Sequence, residues 1–239
     1  MPLPSSVLTR DSLLEIDHLF ICVEAAVECS TLTDLGLTSM TEVLRRPQQG
    51  TASRSLFFEN IYLELIWVED EIAAQNHAAQ SGIDFRSRAQ PHNRASPFGM
   101  ALRQTLDMSH RPFDLLPQPQ DFNYSDTFVN FAAANLRLQN EPLCFVIPDA
   151  VSLIALLDRT SPIHQGLLNH AAGMKRLTRT TVTIDTTIQL TDSINMLQRE
   201  GVIAVKPGAL PLLELSFDEQ VQQKMLDLRW LGIPLVLNY

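Results

Sequence analysis

Apolar and polar residues alternate near both ends of the chain, and the alternation predicts two similar series of elements. Leu14 to Val23 reads as a strand. Ala25, Cys29 and Leu32 then fall at helical spacing, and Gly36 stands where a helix-ending glycine belongs. Thr51 to Glu59 and Ile61 to Val68 follow as a hairpin turning at Glu59-Asn60. In the second half Leu177 to Ile184 is again β-rich, Leu190, Ile194 and Leu197 keep helical spacing, and Gly201 closes that helix. Further strands are predicted at Val202 to Lys206, Pro211 to Phe217, Lys224 to Trp230 and Leu235 to Tyr239. Each half thus reads as β, α and then a small meander of strands.

Within this pattern one cassette is written twice. Tyr62-Leu63-Glu64-Leu65-Ile66-Trp67 returns as Met225-Leu226-Asp227-Leu228-Arg229-Trp230, with an acid at the third position of each. Alternate side chains of a strand share a face, so Glu64 points with Tyr62 and Ile66, away from Leu63, Leu65 and Trp67. A carboxylate aimed at a covered face needs a partner, a metal or water, which makes the matched acids site candidates. Glu64 and Asp227 lie at similar spacings past Gly36 and Gly201, whereas Glu214 lies much closer to Gly201. Asp227 is therefore the expected counterpart, with Glu214 as the fallback.

The middle is different in kind. Residues 71–175 contain Pro- and Gln-rich stretches such as Arg111 to Asp121, strands predicted at Pro97 to Arg103 and Leu143 to Ile147, and a helix after Pro148-Asp149. This length suggests an insertion or lid within a single domain spanning residues 1–239, with module one at about 12–70 and module two at about 176–239. The 45% hydrophobic content is enough for a sizeable core. A net charge of -9 disfavours nucleic acid, whose phosphates call for Lys and Arg, and equally an anionic membrane. Cys22, Cys29 and Cys144 lack metal or redox spacing and read as core thiols of a reducing compartment. With neither a signal-peptide pattern nor a spanning apolar run, the expectation is a cytoplasmic protein. No phosphate-binding glycine motif or nucleophile elbow is present, so no nucleotide cofactor is expected.

The stretches Ile16 to Val23, Leu35-Gly36-Leu37, Gly50 to Phe58, Tyr62 to Val68, Ser96-Pro97-Phe98-Gly99 and Leu226 to Leu237 resemble the vicinal oxygen chelate superfamily, in its glyoxalase-like branch. The resemblance implies an α+β fold in which two βαβββ modules form a cupped, barrel-like mixed sheet around a small-molecule cavity. It also implies a divalent metal on His18, Glu64 and Asp227, with Glu64 as the catalytic carboxylate. The fourth ligand position falls on Arg179, which has no lone pair to offer. Two histidines and a carboxylate at matching positions, the set for ring-cleaving iron chemistry, are not supplied.

The expected activity is that of a lyase or isomerase acting on a carbonyl or hydroxy-acid metabolite, with Arg54, Tyr62 and Arg179 in contact with substrate. The competing reading is a metal-free binding or sequestering protein. There Arg54 neutralises Glu64, Arg229 neutralises Asp227, and an amphipathic ligand lies among Phe57, Tyr62 and Trp67. His18 has its own bland reading as a satisfied core histidine, and His170 is a remote candidate for reaching the cavity. A homodimer is left open.

Overall fold

The computed structural model describes residues 14–90, 93–104, 130–131, 133–147, 152–153, 157–185 and 189–239. Two mixed sheets carry the fold, with few helices. The first has seven strands: β1 (Leu14–Cys22), β2 (Leu44–Arg46), β3 (Thr51–Phe57), β4 (Tyr62–Val68), β5 (Phe98–Gln104), β6 (Asn130–Phe131) and β7 (Leu143–Val146). The second has five: β8 (Leu177–Ile184), β9 (Ala204–Pro207), β10 (Leu212–Phe217), β11 (Met225–Asp227) and β12 (Leu235–Asn238). The helices are α1 (Cys29–Asp34), α2 (Glu71–Ser81), α3 (Phe85–Ala89), α4 (Ala133–Arg137), α5 (Pro162–Leu167) and α6 (Asp192–Arg199). No helix among the described residues is long and apolar enough to cross a membrane.

The sheets run in the orders β2-β3-β4-β1-β5-β7-β6 and β11-β12-β10-β8-β9, each open at both edges. Among the described residues neither sheet closes into a barrel. One pairing pattern is nevertheless repeated. β1 lies parallel to β4 and antiparallel to β5, β5 is parallel to β7, and β6 is antiparallel to β7. β8, β9, β10, β12 and β11 stand in the same relations. Each series also carries a bulge in its first strand. Ile16 and His18 face consecutive residues of β5 with Asp17 left over, and Leu177 and Arg179 face consecutive residues of β10 with Thr178 left over. Through the bulge, His18 and Arg179 are equivalent positions.

This register corrects the reading of the cassette. Glu64 lies on β4, whose counterpart is β9, while Asp227 lies on β11, the counterpart of β6, and Glu214 lies on β10. The repeated letters occupy non-equivalent strands. After Asp227 the chain leaves the sheet for a short 3-10 turn at Arg229–Leu231. The predicted meander exists only in the first half, where β2, β3 and β4 pair in succession; in the second half β9 pairs with β8 and not with β10. The stretch expected as an insertion supplies β5, β6 and β7, so much of it belongs to the first sheet. The helix expected after Asp149 falls largely outside the described residues.

One apolar cluster draws on a face of each sheet, including Leu19, Ile21, Leu63 and Leu65 from the first and Val182, Leu213, Leu215 and Leu237 from the second. Leu32 of α1 and Ile194 and Leu197 of α6 join it. The opposite face of the first sheet has a smaller cluster, in which Phe20, Cys22 and Ile66 meet Ile83 and Phe85. Asn60 and His170 supply two of the polar joints that tie the halves together. The Asn60 side chain donates to the Leu177 carbonyl and accepts from the Leu177 N–H, both at 2.9 Å, as a neighbouring strand would. His170 accepts from the Thr38 N–H at Nδ1 (2.9 Å), which leaves Nε2 to donate to the Phe57 carbonyl (2.8 Å).

Candidate functional site

The register of the first sheet lays out a row of side chains across its strands. Phe57 faces Tyr62, Tyr62 faces His18, His18 faces Ala101 and Ala101 faces Phe145. The rings of His18 and Tyr62 stack at 4.3 Å between centroids, and Tyr62 stacks on Phe57 at 5.3 Å. Ala101 is small enough for Phe145 to meet His18 edge-on at 5.8 Å. The neighbouring row runs Ser55, Glu64, Phe20, Gly99 and Leu143. Only glycine fits at residue 99, because a Cβ there would sit 2.0 Å from the Phe20 ring.

The bulge gives His18 its chemistry. An extra residue in the strand turns Asp17 into the fully buried interior, where its carboxylate accepts from Arg103 Nη1 (2.8 Å), the Leu153 N–H (2.7 Å) and His18 Nδ1 (3.0 Å). Arg103 also binds Glu15 through Nε (2.7 Å). Burial alone would push the Asp17 carboxyl up, but the hydrogen bonds from His18, Leu153 and Arg103 outweigh it and hold the group below the usual carboxylate range. An ionised carboxylate only accepts, so His18 Nδ1 carries the proton shared with Asp17, and in the neutral ring the lone pair is then on Nε2. Among the described residues Nε2 has no partner, and neither does the Tyr62 hydroxyl. Burial, followed by the charges of Glu64 and Asp17, pushes the Tyr62 hydroxyl well up, so it stays protonated.

Glu64 is neutralised. Its Oε1 accepts from Arg46 Nη2 and Ser53 Oγ, both at 2.6 Å, and Arg46 Nη1 also donates to Ser53 Oγ (3.0 Å). Arg54, the expected partner, lies on the opposite face with Leu65 and does not reach it. Its buried guanidinium donates to the carbonyls of Val27, Met40 and Thr41, holding the chain around α1. Trp67 likewise belongs to the main core, so it shares no ligand with Phe57 and Tyr62.

The remaining candidates lie elsewhere. Arg179 is exposed and lines a cleft of about 210 Å³ with Glu15 and Asn60. Asp227 is clasped by Arg229, which lowers its carboxyl to about 2, and Glu214 pairs with Lys206 at 2.7 Å. His170 serves the joint between the halves. Cys22 and Cys144 are buried, while Cys29 is only half-buried on α1. A metal on His18, Glu64 and Asp227 does not fit these positions. Two of the donors share the first sheet and the third is on the second, and no group of three or more His, Cys, Asp or Glu among the described residues is arranged to hold an ion.

The sequence reading missed Asp17, Arg46, Ser53 and Arg103. Two adjacent polar residues inside an apolar strand, Asp17-His18, were the available sign of a bulge. The Arg46–Glu64 pair had no such sign, because strand β2 has only three residues.

Neither family models nor curated proteins match this chain. Among solved structures it is similar to a hypothetical protein from Staphylococcus aureus, at a TM-score of 0.51 and 11% identity, with 94% of this chain and 98% of that chain covered. At that identity the likeness concerns the fold alone.

Proposed function

We propose that the Phe57–Tyr62–His18 row binds a small organic carbonyl or hydroxy acid and that His18 moves a proton on it, as a lyase or isomerase without a protein-bound metal would. The observation that carries the reading is the Asp17–His18 pair, with Nδ1–H committed to a buried carboxylate and Nε2 unpartnered. His18 Nε2 takes a proton from the carbon next to the carbonyl, and Asp17 stabilises the imidazolium formed. The neutral Tyr62 hydroxyl donates to the oxygen on which charge develops. The stacked rings supply an apolar floor. The likeness of the opening strand to glyoxalase-like proteins supports the same substrate class. Glu64, tied to Arg46 and Ser53, is a structural acid in this reading.

A second reading is binding without turnover, favoured by the same neutralisation of Glu64. Proton exchange separates the two. A panel of small keto and hydroxy acids is incubated with the protein in D2O, and loss of the α-proton signal is followed by NMR. His18→Gln is expected to slow exchange about 10²-fold or more, and Asp17→Asn to slow it to a lesser extent. Exchange equal to wild type in His18→Gln would refute proton transfer by this residue. Ligand shifts that persist in wild type without exchange would leave the binding reading standing.

A further inference from the structure

We propose a second, independent site: a pocket in which Arg88 binds a small organic carboxylate with an apolar body. The pocket, about 340 Å³, bridges the two halves of the molecule. Ala89, Ala95 and Pro97 form one wall, and Leu212, Ile233 and Pro234 form the other. The volume lies at the lower end of the range of about 300–1,000 Å³ usual for small-molecule sites. Cys22, also in the lining, is four residues along β1 from His18, roughly 13 Å at the rise of a strand, so the pocket is separate from the Tyr62–His18 row.

Arg88 makes this pocket more than an apolar hollow. The residue is 3% exposed, and Nη1 donates to the carbonyls of Ser96 (2.7 Å) and Glu141 (3.2 Å). Nε and Nη2 have no partner among the described residues, and the residue lines the cavity. No carboxylate among the described residues stands within ion-pair distance of the guanidinium. Asp84, one turn earlier, commits its oxygens to the Ser87 N–H and hydroxyl. A buried cation held only by neutral carbonyls costs free energy that a bound anion relieves. Arginine presents two parallel N–H donors that match the two oxygens of a carboxylate.

The other lining residues narrow the ligand. Arg229 is at the rim but is already paired with Asp227, so one uncompensated charge remains. That suits a monoanion better than a doubly charged phosphate ester. Cys22 adds no charge, because burial pushes its thiol up to about 12. The apolar walls take an alkyl or aryl body.

Isothermal titration of the full chain with hexanoate, hexanol and hexylamine tests the site. Hexanoate is expected to bind saturably and about tenfold or more tighter than hexanol, with hexylamine weakest. Arg88→Gln is expected to abolish that preference. Gln90→Glu, which adds a negative charge to the lining with almost no change of shape, is expected to weaken hexanoate about threefold or more while leaving hexanol unchanged. Should Arg88→Gln fail to fold, Gln90→Glu and the ligand series decide alone. Equal affinity for hexanoate and hexanol, absence of saturable binding, or a preference untouched by Gln90→Glu would overturn the proposal.

Discussion

The two sheets repeat one pattern of strand pairing yet treat charge in opposite ways. In the first, Asp17 occupies the bulge fully buried, His18 follows it, and Glu64 is buried on the face that carries the cluster of Phe20, Ile66 and Phe85. At the matching positions the second sheet has Thr178, Arg179 and Ala204, and its acid Glu214, on the central strand, pairs with the exposed Lys206. Pairing geometry is therefore not what makes a site. Cover is: a face that excludes water forces each polar group to find a defined partner, and the leftover lone pairs and protons then have fixed positions.

Substitutions that break the contrast should follow the same order of burial. Arg103→Met strands the Asp17 carboxylate and is expected to cost about 3–5 kcal/mol in urea unfolding, whereas Thr178→Ala at the matching bulge should stay within about 0.5 kcal/mol. Comparable losses for the two would show that the bulge, and not the buried charge, is what matters. Next, Glu64→Gln weakens a charged hydrogen-bond set shared with the half-exposed Arg46 and is expected to cost about 1–3 kcal/mol by the same assay.

A smaller loss depends on pH. Burial holds His170 below its ordinary value, 6.5, and although the bond to the Phe57 carbonyl works the other way, the neutral ring prevails. Because the folded value is depressed, the contribution of His170 is complete above 6.5 and declines as pH falls below it. Asp17 adds a second decline, below its ordinary 3.8, again because its folded value is depressed. Urea midpoints between pH 8 and pH 3 should show both declines, and His170→Gln should shrink the upper one, the remainder coming from His77, which burial also holds below 6.5. A profile in which that variant leaves the upper decline undiminished would assign it to another group. The smallest effect belongs to the second sheet: Lys206→Ala removes an exposed pair and should cost under about 1 kcal/mol, diminishing with added salt.

Much of the fold was legible because alternation and glycine punctuation are local signals. The hairpin about Glu59-Asn60, the helices ending near Gly36 and Gly201, and the strands at 98–104 and 143–146 all stand where the pattern put them. The helix ends owe this to φ of 76° and 75° at those glycines, which other residues rarely adopt. Sheet membership was not legible. Nothing local says that β5 pairs with β1 or that β9 pairs with β8, and matching letters drew Asp227 beside Glu64 although their strands are not equivalent. The candidate site was half visible. His18 and Tyr62 announce themselves as polar groups in apolar strands, whereas Arg46 and Arg103 reach Glu64 and Asp17 only through strand pairing set by distant residues.

The Asn60 joint also bears on the order of assembly. Every strand of the first sheet precedes every strand of the second along the chain, so the first sheet can form while the second is still being synthesised. Its half of the common core then awaits a covering. Leu177, the first residue of β8, is tied to the first half by two hydrogen bonds from the Asn60 amide, so one half-buried side chain helps to fix where the second sheet begins against the first.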